Sequence, residues 1–220
     1  KEINSADVVF GWMAEQDDAR NPDGEKPLVA IMDGQKSLWE MRRKYLPGED
    51  VVEILDLLHA TPRLWMAAHV FHAEGSSEAT AFVKERVLRI LRGEVGYVVG
   101  GFRQMGTKAG LKGAKKKTLE NICNYLEESR DRLRYDEYLR AGYPIASGVI
   151  EGACRHLVKD RMERAGMRWS FAGAQAMLDL RSTSLNGDWD AFTRYRIQKQ
   201  TEKLYPYIKQ VEKIDWPMAA

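Results

Sequence analysis

The chain has 220 residues, 44% of them hydrophobic and 30% charged, which is a globular composition of one or two domains and excludes a disordered chain. No apolar run approaches the ~20 residues of a spanning helix, and no charged-then-apolar leader opens the sequence. The net charge of +2 hides an asymmetry: residues 1–100 carry 12 Lys and Arg against 17 Asp and Glu, whereas 101–181 carry 16 against 10. An acidic first part and a basic middle suit a protein that holds cations in one place and phosphates in another, although ordinary surface charge explains the same numbers. Cys123 and Cys154 form no close pair, so a reduced, cytoplasmic setting is expected.

The first residue is Lys1, and Glu2 to Arg20 already reads as a helix, with Ile3, Ala6, Val9, Phe10, Met13 and Ala14 in a helical stripe. The sequence therefore reads as starting inside a longer gene product. After the turn Asn21-Pro22-Asp23-Gly24 comes Pro27 to Met32, an unbroken apolar run that ends at Asp33-Gly34 and predicts a buried strand. Gln35 to Tyr45 is helical, and Val51 to Leu55 predicts a second strand. Strand, helix and strand with short links make a parallel βαβ unit, and both strands end at an acid, Asp33 and Asp56. Ligands of open α/β sheets collect at that edge.

From there the pattern is helical. Thr61 with Pro62 predicts one helix start, and Ser76 or Ser77 the next. The glycines between 93 and 113, followed by Lys115-Lys116-Lys117, read as a loose basic segment. Helices are expected from Thr118 to about Arg134, over 136–141, from Ser147, and over 172–185 and 188–204. On the helix from Ser147, Glu151, Arg155 and Lys159 fall at i, i+4 and i+8.

Asp33, Asp56 and Glu151 are the carboxylates whose placement suggests chemistry. Converging acids bind Mg²⁺ or Mn²⁺, and two such ions assist in-line attack on a phosphodiester. The plainer alternatives are a helix cap for an Asp after a strand and a surface ion pair for Glu151 with Arg155. His69 and His72 could chelate zinc, but no matching Cys or His pair accompanies them.

Four ordered blocks carry a resemblance: Leu28-Val29-Ala30-Ile31-Met32-Asp33-Gly34; Ile54-Leu55-Asp56-Leu57-Leu58-His59-Ala60; Tyr143-Pro144-Ile145-Ala146-Ser147-Gly148-Val149-Ile150-Glu151-Gly152-Ala153-Cys154-Arg155; and Met162-Glu163-Arg164-Ala165-Gly166-Met167-Arg168-Trp169. With Gly173 to Leu178 and Leu204-Tyr205-Pro206, the chain resembles the C-terminal part of bacterial insertion-sequence transposases of the ISKra type, which are DDE enzymes. The resemblance implies an α/β, predominantly helical fold: a partial ribonuclease H-like core with a helical insertion. Residues 1–60 would be the second part of that core, 61–135 the insertion, and 136–220 the C-terminal helices of the core.

Asp33 would then be the second acid of the triad and Glu151 the third, both ligands of Mg²⁺ or Mn²⁺, with Asp56 and His59 as active-site neighbours. The partners implied are DNA, as element ends and target, and further copies of the chain. Arg155, Lys159, Arg164 and Arg168 would follow the phosphate backbone, with Trp169 available to stack on a base. No acid before Asp33 follows an apolar strand, so the first acid and the strands before it are expected outside these residues, and the chain by itself is expected to be inactive. The rival readings are a non-catalytic nucleic-acid-binding helical module and a purely structural helical protein.

Overall fold

The computed structural model describes residues 6–164 and 166–207, so the expectations for Ile3 and Ala165 lie outside the described residues. The chain forms two compact units, one running to Val149 and the other from Ile150 onward.

The first unit opens with α1 (Ala6–Arg20), which lies on α2 (Lys36–Tyr45). Phe10 is its buried residue, while Val9 and Met13 of the expected stripe are exposed. Between the two helices runs β1 (Val29–Met32), and after α2 comes β2 (Val52–Leu55). The strands pair in parallel, Val29 opposite Val52 and Met32 opposite Leu55, as their apolar runs predict. They are the only strands among the described residues, and the fold is predominantly helical.

Two parallel strands are marginal unless covered. Here the cover comes from α3 (Leu57–Phe71), α4 (Ser77–Leu91), α5 (Val95–Lys108), α6 (Gly113–Glu128) and α7 (Tyr135–Arg140). The α3 helix packs on α4 and α6, and α5 packs on α6. Their shared core holds Ile54, Leu55, Leu64, Phe82, Phe102, Ile122, Leu126 and Tyr135.

Three local expectations are corrected. The α3 helix starts at Leu57, not at Thr61, because the Asp56 carboxylate caps it by accepting from the Leu58 amide at 3.0 Å. Thr61 instead donates its hydroxyl to the Leu57 carbonyl at 2.8 Å, and Pro62 stands inside the helix, where it removes one backbone hydrogen bond. The glycine-rich stretch is helical too. Val95, Val98, Val99 and Phe102 form a buried stripe at helical spacing, and burial of that stripe outweighs the glycines' poor propensity. Gly106 in turn lets α5 approach α6, since a Cβ there would lie 2.9 Å from Leu119. Finally, α6 starts at Gly113 and stops at Glu128, where a 3₁₀ turn (Arg130–Arg132) replaces the expected continuation. Ser76 caps α4 as expected, accepting from the Ala79 amide at 3.1 Å.

An ion-pair network secures β2. Glu53 accepts from Arg42, which is buried, and from Arg132 Nε at 2.6 Å. Arg132 also lies 4.3 Å above the Trp39 ring, and Arg42 reaches the Leu46 and Gly48 carbonyls. Tyrosines reach the outward-facing carbonyls of β2: Tyr135 donates to Leu55 at 2.6 Å, and the Tyr138 hydroxyl is shared between the carbonyls of Asp131 at 2.9 Å and Glu53 at 3.1 Å. Burial pushes the Tyr135 hydroxyl well above the ordinary tyrosine range, so it remains a donor.

In the second unit, α8 (Gly148–Cys154) leads out of the first unit and continues as a π turn (Arg155–Lys159) and α9 (Asp160–Met162). It is followed by α10 (Phe171–Leu185) and α11 (Trp189–Leu204), close to the helices expected over 172–185 and 188–204. Arg181 of α10 donates to the Leu157 carbonyl at 2.9 Å. None of the described residues of this unit is fully buried.

Replacing Glu53 by Ala should destabilise the first unit by about 3 kcal/mol, because it strands the buried Arg42 charge. Tyr135→Phe should cost about 1–2 kcal/mol by orphaning the Leu55 carbonyl. Urea denaturation of each variant checks both values.

Candidate functional site

The carboxyl ends of β1 and β2 place Asp33 and Asp56 in adjacent positions, since Met32 and Leu55 are register partners and each acid follows its strand directly. The two acids are bonded very differently.

Asp33 is half-buried at the turn into α2, and its Oδ1 accepts from the Gln35 amide at 2.8 Å. Its Oδ2 has no hydrogen-bond partner among the described residues. Asp56 is buried, and both of its oxygens are engaged. Oδ1 accepts from the amides of Leu58 at 3.0 Å and Ser147 at 3.2 Å. Oδ2 accepts from the Ser147 hydroxyl at 2.5 Å and lies 2.9 Å from His59 Nδ1. Burial alone would push the Asp56 carboxyl up, but the bonds from Ser147, Leu58 and His59 outweigh it and hold the group below the usual carboxylate range. Asp56 is thus an ionised cap and anchor, as its place after a strand allowed. His59, half-exposed, is fixed through Nδ1 and keeps Nε2 for another partner.

Ser147 does more than bond the carboxylate. The Leu57 amide donates to the Ile145 carbonyl at 3.0 Å, so the stretch 145–147 is held along the start of α3. The next residue, Gly148, begins α8, the helix that carries Glu151. The sequence marks Ser147 as a helix start, but no local pattern signals that its hydroxyl reaches a residue 91 positions away.

Two further side chains complete this edge. Tyr125 of α6 lies against the backbone of Gly34: a Cβ on Gly34 would sit 2.4 Å from the ring and 2.5 Å from the hydroxyl. Arg63, one helical turn after His59, lies 4.8 Å above the same ring. Burial pushes the Tyr125 hydroxyl up, Arg63 opposes this, and Asp33 and Asp56 push it further up, so it stays protonated at neutral pH. Sequence reasoning missed both residues, because the contacts join α3, α6 and β1 across the core.

The other expected site residues lie in the second unit. The Glu151 carboxylate is exposed and without a partner among the described residues, and in particular it makes no ion pair with Arg155. Arg155, Lys159 and Arg168 are exposed, and Arg164 donates to the Asp160 carbonyl at 2.7 Å. Arg155 and Lys159 bound the π turn, a geometry found often at functional sites. Trp169 is half-buried, its indole nitrogen is covered with no acceptor among the described residues, and Arg161 stands 5.4 Å over its ring. One face is therefore occupied, which limits the stacking role expected for this residue.

Among the described residues no group of three or more His, Cys, Asp and Glu is placed to hold a metal ion. Asp33 Oδ2 and His59 Nε2 alone supply fewer donors than Mg²⁺ or Mn²⁺ takes. His69 lies against Trp65 and His72 lies edge-on to Phe82. Cys123 is buried, Cys154 is exposed, and both are free thiols. No helix among the described residues is long and apolar enough to cross a membrane. In comparisons with known proteins, no family model, no curated protein and no solved structure matches this chain.

Of the five described carboxyls held below their usual range, Asp7, Glu78 and Glu127 are in solvent, so stability should depend on pH chiefly through Glu53 and Asp56. Burial is outweighed at Glu53 by Arg132 and Arg42, as it is at Asp56 by its own donors. Their contribution is fully present above the unfolded values of about 4 and is lost as pH falls through the lower folded values. Urea midpoints should hold from pH 7 to 5 and fall below about pH 4, and Asp56→Asn should flatten that fall while lowering the midpoint at pH 7. Gly34→Ala should cost about 1–3 kcal/mol by displacing Tyr125. Its cost should shrink in a Tyr125→Ala background, a coupling that a double-mutant cycle measures.

Proposed function

We propose that the chain is the part of a DDE-type transposase, with a ribonuclease H-like core, that bears the second and third acids. In the gene product that contains these residues, the activity is metal-dependent cleavage and transfer of DNA strands, in a bacterial cytoplasm. The observation that carries the reading is the parallel β1–β2 pair, which sets Asp33 beside the Asp56–His59 pair at one carboxyl edge. Two features add support. Asp56 holds Ser147, the residue before the helix that bears Glu151, and Glu151 is exposed with an uncommitted carboxylate.

In this reading Asp33 and Glu151 are ligands of Mg²⁺ or Mn²⁺, which supplies the activation of the attacking hydroxyl and the stabilisation of the leaving oxygen. Asp56 keeps His59 in one tautomer and orientation and holds the start of α8 in place. The basic residues Arg155, Lys159, Arg164 and Arg168 bind the DNA backbone without reading sequence.

Arg155, Lys159 and Arg168, exposed and without an ion-pair partner among the described residues, also favour a second reading, a nucleic-acid-binding module without catalysis. Strand cleavage separates the two. The full gene product that contains these residues is incubated with a linear duplex bearing the element's ends and with Mg²⁺ or Mn²⁺. Metal-dependent nicking should be lost in Asp33→Ala and in Glu151→Ala. Nicking that persists in either variant overturns the assignment, and duplex binding with no nicking under any of these conditions favours the second reading.

A further inference from the structure

Besides its acids, the carboxyl edge of the sheet carries a cation that no described carboxylate neutralises. Arg63 is exposed, and none of the described carboxylates lies within ion-pair distance of it. Its polar contacts are to the Tyr125 hydroxyl and, at 4.0 Å from Nη1, to Met66 Sδ, and neither neutralises its charge. Other arginines stacked on rings in the first unit are committed: Arg86 and Arg89 bond Glu85, and Arg132 bonds Glu53. Arg63 has the ring without the acid.

The ring is placed with purpose. Tyr125 fits only because residue 34 lacks a side chain, and it rests directly against the residue after Asp33. The Tyr125 ring therefore holds the Arg63 guanidinium at the same edge as Asp33 and His59. His59 and Arg63, four residues apart, share one face of α3.

An edge lined by carboxylates repels a phosphodiester unless a cation accompanies them. A guanidinium suits this role: it stays charged, stacks on an aromatic ring, and presents a planar fork of donors to phosphate oxygens. We propose that Arg63, positioned by Tyr125, is a phosphate-contacting residue of this edge and takes a backbone phosphodiester of a DNA strand beside Asp33. The proposal deepens the transposase reading and rests on it for the nature of the strand.

The test is duplex binding by the 220-residue chain, followed by fluorescence anisotropy between 50 and 200 mM salt. Arg63→Ala should weaken binding by a similar factor for all duplex sequences. It should also reduce the slope of log affinity against log salt by about 0.9, the value for one phosphate contact. Arg63→Lys should keep the slope but bind several-fold more weakly, because an ammonium neither stacks nor forks. Tyr125→Ala should weaken binding toward the level of Arg63→Ala, whereas Tyr125→Phe, which keeps the ring and loses only the hydroxyl's contact with Arg63, should bind more tightly than Tyr125→Ala. Circular dichroism confirms that each variant is folded, and Arg63→Lys carries the test if Arg63→Ala is not.

An unchanged slope and affinity in Arg63→Ala overturn the proposal. So does a parent chain that binds no duplex at the lowest salt, and so does full displacement of the duplex by inorganic phosphate at constant ionic strength, which would mark a free-anion site. These outcomes are read from binding alone, whereas the transposase reading fails on cleavage retained by Asp33→Ala.

Discussion

The first unit depends on satisfying one buried charge. A carboxylate out of water is costly unless its lone pairs are met, and Asp56 meets them with two amides, one hydroxyl and one imidazole. Those donors come from three places: the start of α3, the ring of His59 and the strap at Ser147. One charge therefore decides where α3 begins, which way His59 faces and where the chain runs before α8. Losing any donor would leave part of that charge unmet, which makes the junction stiff.

Stiffness at this edge matters because the sheet is minimal. Two parallel strands have two free edges and little area, and β2 is kept in place by groups that are not strands. Glu53 draws Arg42 from α2 and Arg132 from the 3₁₀ turn toward the strand, and two tyrosine hydroxyls meet its outward carbonyls. A helical shell thus does the work that neighbouring strands do in a larger sheet, and the carboxyl edge stays ordered enough to present side chains.

What is presented is a mixture of opposite signs. Asp33 keeps one oxygen uncommitted, His59 keeps one nitrogen, and Arg63 keeps its whole charge beside the Tyr125 ring. Electrostatics alone would collapse acid onto base in an ion pair. The ring of Tyr125 gives the guanidinium a different resting place, so acid and base at this edge stay apart.

The sequence by itself determined the local structure. Period-3.6 patterning, apolar runs and turn residues located both strands and most helices, because those signals act over neighbouring residues. It also located Asp33 and Asp56 at strand ends, since an acid after an apolar run is visible without a fold. Where it misled, longer-range energy had overridden a local signal. The Asp56 cap displaced the start that Thr61 and Pro62 suggested, and the burial of Val95, Val98, Val99 and Phe102 made a helix from glycine-rich sequence. Only the tertiary structure decided that Ser147 bonds Asp56, that Glu53 gathers two arginines, and that Tyr125 joins Gly34 to Arg63. Each of these contacts joins residues far apart in the chain, and no local periodicity records which distant side chains meet when a core closes.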